Sequence, residues 1–198
     1  MFRKDLCDVR PGKGGGVLLY VSNELNCAAV DTLNAFKCES TWIEVKDDLG
    51  ANVIVGVCYK CPAVSEQELK EMFNAISQAS KGRCLIVGDF NYPNINWDNW
   101  ECNKDDEEFV DLLQDNFLHQ HVDTSIRVNN ILDLVITKIS MVKEFKILEH
   151  FASSDHNVIE FEFVLQTAVC DAVVYNLDFN KGDCKAIKAA MKDYVTKA

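Results

Sequence analysis

The chain has 198 residues, 48% of them apolar, and a formal net charge of −11. That length and composition suit one folded domain with a substantial core and exclude a disordered or low-complexity polypeptide. The acidity argues against tight, purely electrostatic binding to nucleic acid, whose phosphates draw Lys and Arg.

The charge is unevenly spread, with Asp105, Asp106, Glu107 and Glu108 in one block. Carboxylates gathered at a metal site would also be partly neutralised by the cation. No apolar run approaches the roughly 20 residues needed to span a bilayer. The opening Met1-Phe2-Arg3-Lys4-Asp5 lacks the apolar stretch of a secretory signal. Nine scattered cysteines, an odd number, do not form a disulfide framework. A monomer in a reducing intracellular setting, nuclear or cytoplasmic, is therefore expected. Cys58 and Cys61 have CxxC spacing, but no second pair completes a zinc site, and they read as strand-exit cysteines.

In chain order, Gly14, Gly15 and Gly16 give a flexible entry to a buried strand over 17–21. Residues 41–45 alternate with period two and predict a second strand. A Val- and Ile-rich strand over 53–59 ends before Pro62. Leu69, Met72, Phe73, Ile76 and Ala79 then fall on one face of a helix. Ser65 and Glu68 have capping-box spacing at its start. Residues 84–87 form a short buried strand that delivers Asp89, and a loop with Tyr92, Pro93, Trp97 and Trp100 follows. The acidic block precedes a second helix with Phe109, Leu112, Leu113 and Phe117 on one face, its charge complementing the N-terminal dipole. Strands are predicted over 132–137, 145–148 and 156–164, and Ile159, Phe161 and Phe163 share a face of the last. A break at 176–182 leads to a terminal helix with Ile187, Ala190, Met191 and Tyr194 on one stripe. The mix favours an α/β sandwich of packed sheets with helices outside.

Three islands carry the chemistry: Gly88-Asp89-Phe90-Asn91, Leu132-Asp133-Leu134 and Ser154-Asp155-His156-Asn157. Each puts an acid, amide or imidazole at the end or edge of an apolar run. If those ends converge, they can hold a metal and a general base against a phosphate. Asp89 can orient or deprotonate water while Asn91 holds that water or a phosphate oxygen, although the same pair also serves as an Asx-turn. Asp155 can ligate a hard cation such as Mg²⁺ while His156 faces the phosphate. The bland alternative is a structural histidine at a strand edge. Asp133 lies among apolar residues, where an unpaired carboxylate is costly. His156 is its natural partner, in a dyad that fixes the imidazole tautomer. Tyr59, at a strand end, either reaches a phosphoryl oxygen or packs in the core. His119 and His121 form an HxH pair that nothing nearby completes, and they read as loop or edge residues.

Taken in this order, the islands resemble the endonuclease/exonuclease/phosphatase superfamily, and most closely the endonuclease domain of non-LTR (LINE-type) retrotransposons. The matching segments are 14–21, 55–62, 89–97, 130–137 and 153–161. The resemblance implies a four-layer α/β sandwich, two packed and mainly antiparallel sheets flanked by helices. It would occupy residues 1–175, with 176–198 as a connector toward a reverse transcriptase. It implies cleavage of one DNA strand with Mg²⁺ or Mn²⁺. Asp89 would position or deprotonate the water, helped by Asn91, and would share the metal with Asp155. Asp133 would orient His156 on the scissile phosphate, and Tyr59 would stabilise charge there.

One departure stands out. Family members carry an Asn strand and a metal-binding Glu strand ahead of the segment matching Phe2, and Glu24, Glu39 and Glu44 do not sit in a motif that replaces them. Membership with impaired activity is the resulting expectation. The alternatives are a phosphatase of inositol phosphates or phospholipids from the same superfamily, and an inactive binding remnant.

Overall fold

The computed structural model describes residues 1–5, 15–46, 50–123, 130–138, 142–152, 154 and 156–164, all within one compact unit, Met1–Gln166. In chain order the strands are β1 (Phe2–Asp5), β2 (Gly16–Leu19), β3 (Asn26–Ala29), β4 (Ser40–Lys46), β5 (Asn52–Tyr59), β6 (Cys84–Asp89), β7 (His119–Gln120), β8 (Asp133–Thr137), β9 (Val142–His150) and β10 (Asn157–Phe163). The helices are α1 (Asp31–Asn34), α2 (Glu66–Ala79) and α3 (Glu107–Asp115). The connector and terminal helix expected over 176–198 lie outside the described residues. No described helix is long and apolar enough to cross a membrane.

Six strands form the main sheet in the order β3-β4-β5-β6-β8-β7. Only β5 and β6 run parallel, because α2 carries the chain from one to the other across a face of the sheet. Side chains alternate across that sheet and serve two different layers. Trp42, Cys84, Ile86, Leu134 and Ile136 pack on one side with Met72 and Ile76 of α2 and Phe109 and Leu113 of α3. Leu85, Val135 and Val55 pack on the other side with Phe145, Ile147, Ile159 and Phe161 of the β9–β10 pair.

The β1–β2 pair also lies against this second side: Leu19, Ile43, Val45, Val55 and Phe163 line one cavity of about 280 Å³. Thus a helix layer, a six-stranded sheet and a layer of strand pairs form an α/β sandwich. The second sheet differs from expectation in consisting of two antiparallel pairs, β1–β2 and β9–β10, with no described strand joining them.

Local sequence explains most elements. Ser65 caps α2, its hydroxyl accepting from the Glu68 N–H while the Glu68 carboxylate accepts from the Ser65 N–H. Gly56 of β5 lies under the Trp42 ring, where a Cβ would come within 2.2 Å of the indole. Only glycine lets that tryptophan lie flat on the sheet.

Sequence patterning missed four short elements, β1, β3, α1 and β7, none long enough to show a period. It also overran α3, which ends at Asp115 and leaves Phe117 73% exposed. The ending is a Schellman turn: the Leu118 N–H donates to Leu113 O (2.8 Å) and the Phe117 N–H to Gln114 O (3.0 Å). Leu113 and Leu118 are both buried, supplying the apolar contact that seals the turn. This requires left-handed backbone at Phe117 (φ 55°), an unusual duty for a bulky residue.

The histidine pair divides between two environments. His119 is exposed on edge strand β7, whereas His121 shares a 2.7 Å hydrogen bond with Thr137 Oγ1. Burial, and then the nearby His119, hold the His121 pKa below its ordinary value.

Two outcomes follow from these local features. Phe117→Gly, by removing left-handed strain from an exposed side chain, should raise stability by about 0.5–1 kcal/mol in urea melts. Between the ordinary histidine pKa and its lowered folded value, the unfolded state binds more protons at residue 121, so stability falls as pH drops through that window. Urea midpoints measured on both sides of pH 6.5 should show a smaller acid loss for His121→Asn than for the parent.

Candidate active site

Three strands end at the same edge of the sandwich. Tyr59 closes β5, Asp89 closes β6 and Asp133 opens β8. The register pairs Tyr59 with Asp89 and Asp89 with Asp133. Paired positions share a face, so the three side chains form one row about 10 Å wide, on the side covered by β9–β10. His156, immediately before β10, reaches that row from above. Its Nδ1 lies 2.7 Å from Asp133 Oδ2, and both side chains are largely covered, at 27% and 20% exposure. At that burial a charge-assisted bond contributes about 1.5–3 kcal/mol, enough to fix the ring's orientation.

Asp89 is held from several directions. Gly88 before it has φ 145°, and a Cβ there would lie 1.8 Å from the Cys58 carbonyl oxygen, so β5 and β6 approach closely only because residue 88 is glycine. The Lys60 N–H donates to Asp89 O (2.8 Å), and the Phe90 N–H to Leu132 O (2.8 Å). The Asn91 N–H donates to Asp89 Oδ1 (3.0 Å), closing an Asx-turn with Asn91 in left-handed backbone at φ 52°. Asparagine tolerates that conformation better than most residues, so the turn and the chemistry expected of Asn91 are compatible.

The loop that follows is fastened to α3 through Phe109. Tyr92 stacks on that ring at 4.4 Å and Phe90 at 5.2 Å, while Trp97 meets it edge-on at 6.4 Å. Burial pushes the Tyr92 phenol far above its ordinary pKa, marking it as a packing residue. Cys58 is fully buried with its thiol pKa raised by desolvation, and Cys61 is half-buried; both are free thiols.

Asp89, Asp133 and His156 offer ligand atoms that all lie within 4.8 Å of one another. Two carboxylates placed directly opposite on adjacent strands repel unless positive charge lies between or beside them. A hard divalent cation fits that donor set, since carboxylate oxygens suit Mg²⁺ and Mn²⁺. Of the residues singled out from sequence, the fold thus brings Tyr59, Asp89, Asn91, Asp133 and His156 to one edge. Asp155 lies outside the described residues.

Two residues at this edge were not assigned a role from the sequence. Glu39 is buried, and its backbone carbonyl accepts the Tyr59 N–H at 2.8 Å, extending the row onto the β4 side. The Lys60 ammonium lies 4.2 Å above the Tyr92 ring and donates to Asn91 O at 3.3 Å. A lysine between a strand end and a proline turn carries no signal by itself.

Comparison with known proteins agrees with this architecture. No curated protein matches the sequence. Among solved structures, the endonuclease domain of TRAS1, a telomere-specific non-LTR retrotransposon, is similar, with a TM-score of 0.57 at 15% identity. The match covers 74% of this chain and 72% of that one, and it shows a shared fold. The family model described as endonuclease-reverse transcriptase matches residues 53–160, more than half the sequence and all three islands, so the chain belongs to that family.

Proposed function

We propose that the chain is a metal-dependent phosphodiester hydrolase that nicks one strand of DNA. One observation above the rest supports this reading: the Asp133–His156 pair, 2.7 Å apart, standing beside Asp89 at the end of the sandwich. The family's description and the similar fold of the TRAS1 endonuclease domain support DNA as substrate. They also support a reverse transcriptase as the neighbouring domain in a longer parent.

In this mechanism Asp133 accepts from His156 Nδ1–H, which leaves Nε2 to face a non-bridging oxygen of the scissile phosphate. Asp89 orients the attacking water and takes its proton, while the Asn91 amide holds the water without adding charge. The water oxygen bonds to phosphorus, and the bond from phosphorus to the 3′ oxygen breaks. That oxygen takes a proton from solvent water and leaves as a 3′ hydroxyl, while the attacking water's proton rests on Asp89. Tyr59 donates to the phosphoryl oxygens as charge builds on them. Asp89 and Asp155 would hold Mg²⁺ or Mn²⁺, which when bound would supply a Lewis acid for charge building on the phosphoryl oxygens. Neutralised by a bound cation, these carboxylates would also leave less negative charge where the DNA backbone must approach.

Nicking of supercoiled plasmid with Mg²⁺ checks the reading directly. His156→Ala should slow nicking by about 10²–10⁴-fold, and Asp133→Asn should lower kcat while leaving KM within about twofold. A His156→Ala protein that nicks at the parent rate would sink the proposal, and hydrolysis of an inositol phosphate without nicking would move the substrate class. Metal binding has a separate readout. Saturating Mg²⁺ should raise the melting temperature by roughly 3 °C or more, and Asp89→Asn should abolish that shift.

A further inference from the structure

We infer that Lys60 is a positioning residue for this site: it clamps the Asp89–Asn91 turn from both ends and thereby sets where the carboxylate and the amide point. The inference rests on the nuclease reading of that turn, and it assigns Lys60 no contact with substrate. The backbone and the side chain of this one residue hold different ends. Its N–H donates to the carbonyl of Asp89, and its Nζ donates to the carbonyl of Asn91. Between those two points lies the left-handed φ of Asn91, a conformation that needs an outside constraint to remain the only one populated.

The ammonium is itself fixed in place. It lies over the Tyr92 ring, which is locked against Phe109 of α3. Partial burial lowers the Lys60 pKa, and the charges of Asp106 and then Asp89 oppose that shift. Asp106 precedes α3 yet makes no side-chain capping bond, and its Oδ2 is buried without a hydrogen-bond partner. A buried carboxylate left in that state is costly unless a cation lies near, and its charge acts on Lys60. The ammonium therefore joins three parts of the fold: the end of β5, the turn after β6 and the start of α3. Turn residues gripped this way keep their geometry, and misplacement of reacting groups by about 1 Å costs about 10²-fold in rate.

Four proteins test the inference: the parent, Lys60→Met, Lys60→Arg and Lys70→Met. The last removes the same charge from an exposed Lys70–Glu66 pair on α2. Amide-proton exchange at Asn91, measured by NMR without metal or DNA, reads the turn apart from any chemistry. Lys60→Met should speed that exchange at least about tenfold, Lys60→Arg less than threefold, and Lys70→Met not at all. In plasmid nicking, Lys60→Met should lower kcat about tenfold or more with KM close to that of Lys70→Met, and Lys60→Arg should restore most of the loss. Unchanged exchange at Asn91 in Lys60→Met overturns the inference, whether or not the parent nicks DNA. A rise in KM alone also overturns it, because Lys60 would then be a phosphate contact. Faster exchange in Lys60→Met beside an inactive parent upholds the clamp and sinks only the nuclease reading.

Discussion

The register of three adjacent strands is the constraint on which the site depends. Residue 59 pairs with 89, and 89 with 133, so three strand ends that are remote in sequence present their side chains in one row. A slip of one residue at either interface would send Asp89 or Asp133 to the helix side of the sheet, into the packing around Trp42 and Phe109. Buried apolar residues on both faces prevent that slip. Ile86, Leu134 and Ile136 are committed to the helices, and Leu85 and Val135 to the β9–β10 pair. The polar row is thus held in place by the apolar rows next to it.

That arrangement carries an electrostatic cost. Asp89 and Asp133 face each other across neighbouring strands, a placement that destabilises a sheet when nothing positive intervenes. His156 offsets part of the cost by bonding Asp133, the Lys60 charge lies near Asp89, and a divalent cation would relieve more of it. The same tension explains the backbone around Asp89. A glycine that no other residue can replace, an Asx-turn and a left-handed asparagine are concentrated within four residues of it. Unfavourable conformations persist where surrounding structure over-determines them, and here the constraint comes from Lys60, Leu132 and the Phe109 stack.

The second layer of the sandwich is divided. Two strand pairs cover one face of the main sheet, and an apolar cavity lies where Leu19 and Tyr20 of one pair approach Phe163 of the other. Ile43, Val45 and Val55 form its floor. The candidate site lies beside the other pair, where His156, just before β10, bonds Asp133.

Much of the chain was legible in the sequence because its signals are local. The β-branched run of β5, the periodic face of α2 and the Ser65–Glu68 box each depend on residues a few positions apart, and each formed where expected. The three islands were legible for a related reason: their residue types are rare at strand ends unless chemistry or a turn requires them. Short elements such as β3 and β7 left no trace, since two to four residues cannot display a period. Phe117 was misjudged because its apolar character suggested the helix face, while the Schellman bonds of Leu118 decided where α3 stops. What only the tertiary structure decided is the convergence itself. Sequence singled out Tyr59, Asp89, Asn91, Asp133 and His156 as candidates by residue type and position. Strand order, register and the reach of Lys60 across 31 positions to Asn91 bring them to one edge, because those are long-range pairings that no stretch of chain encodes alone.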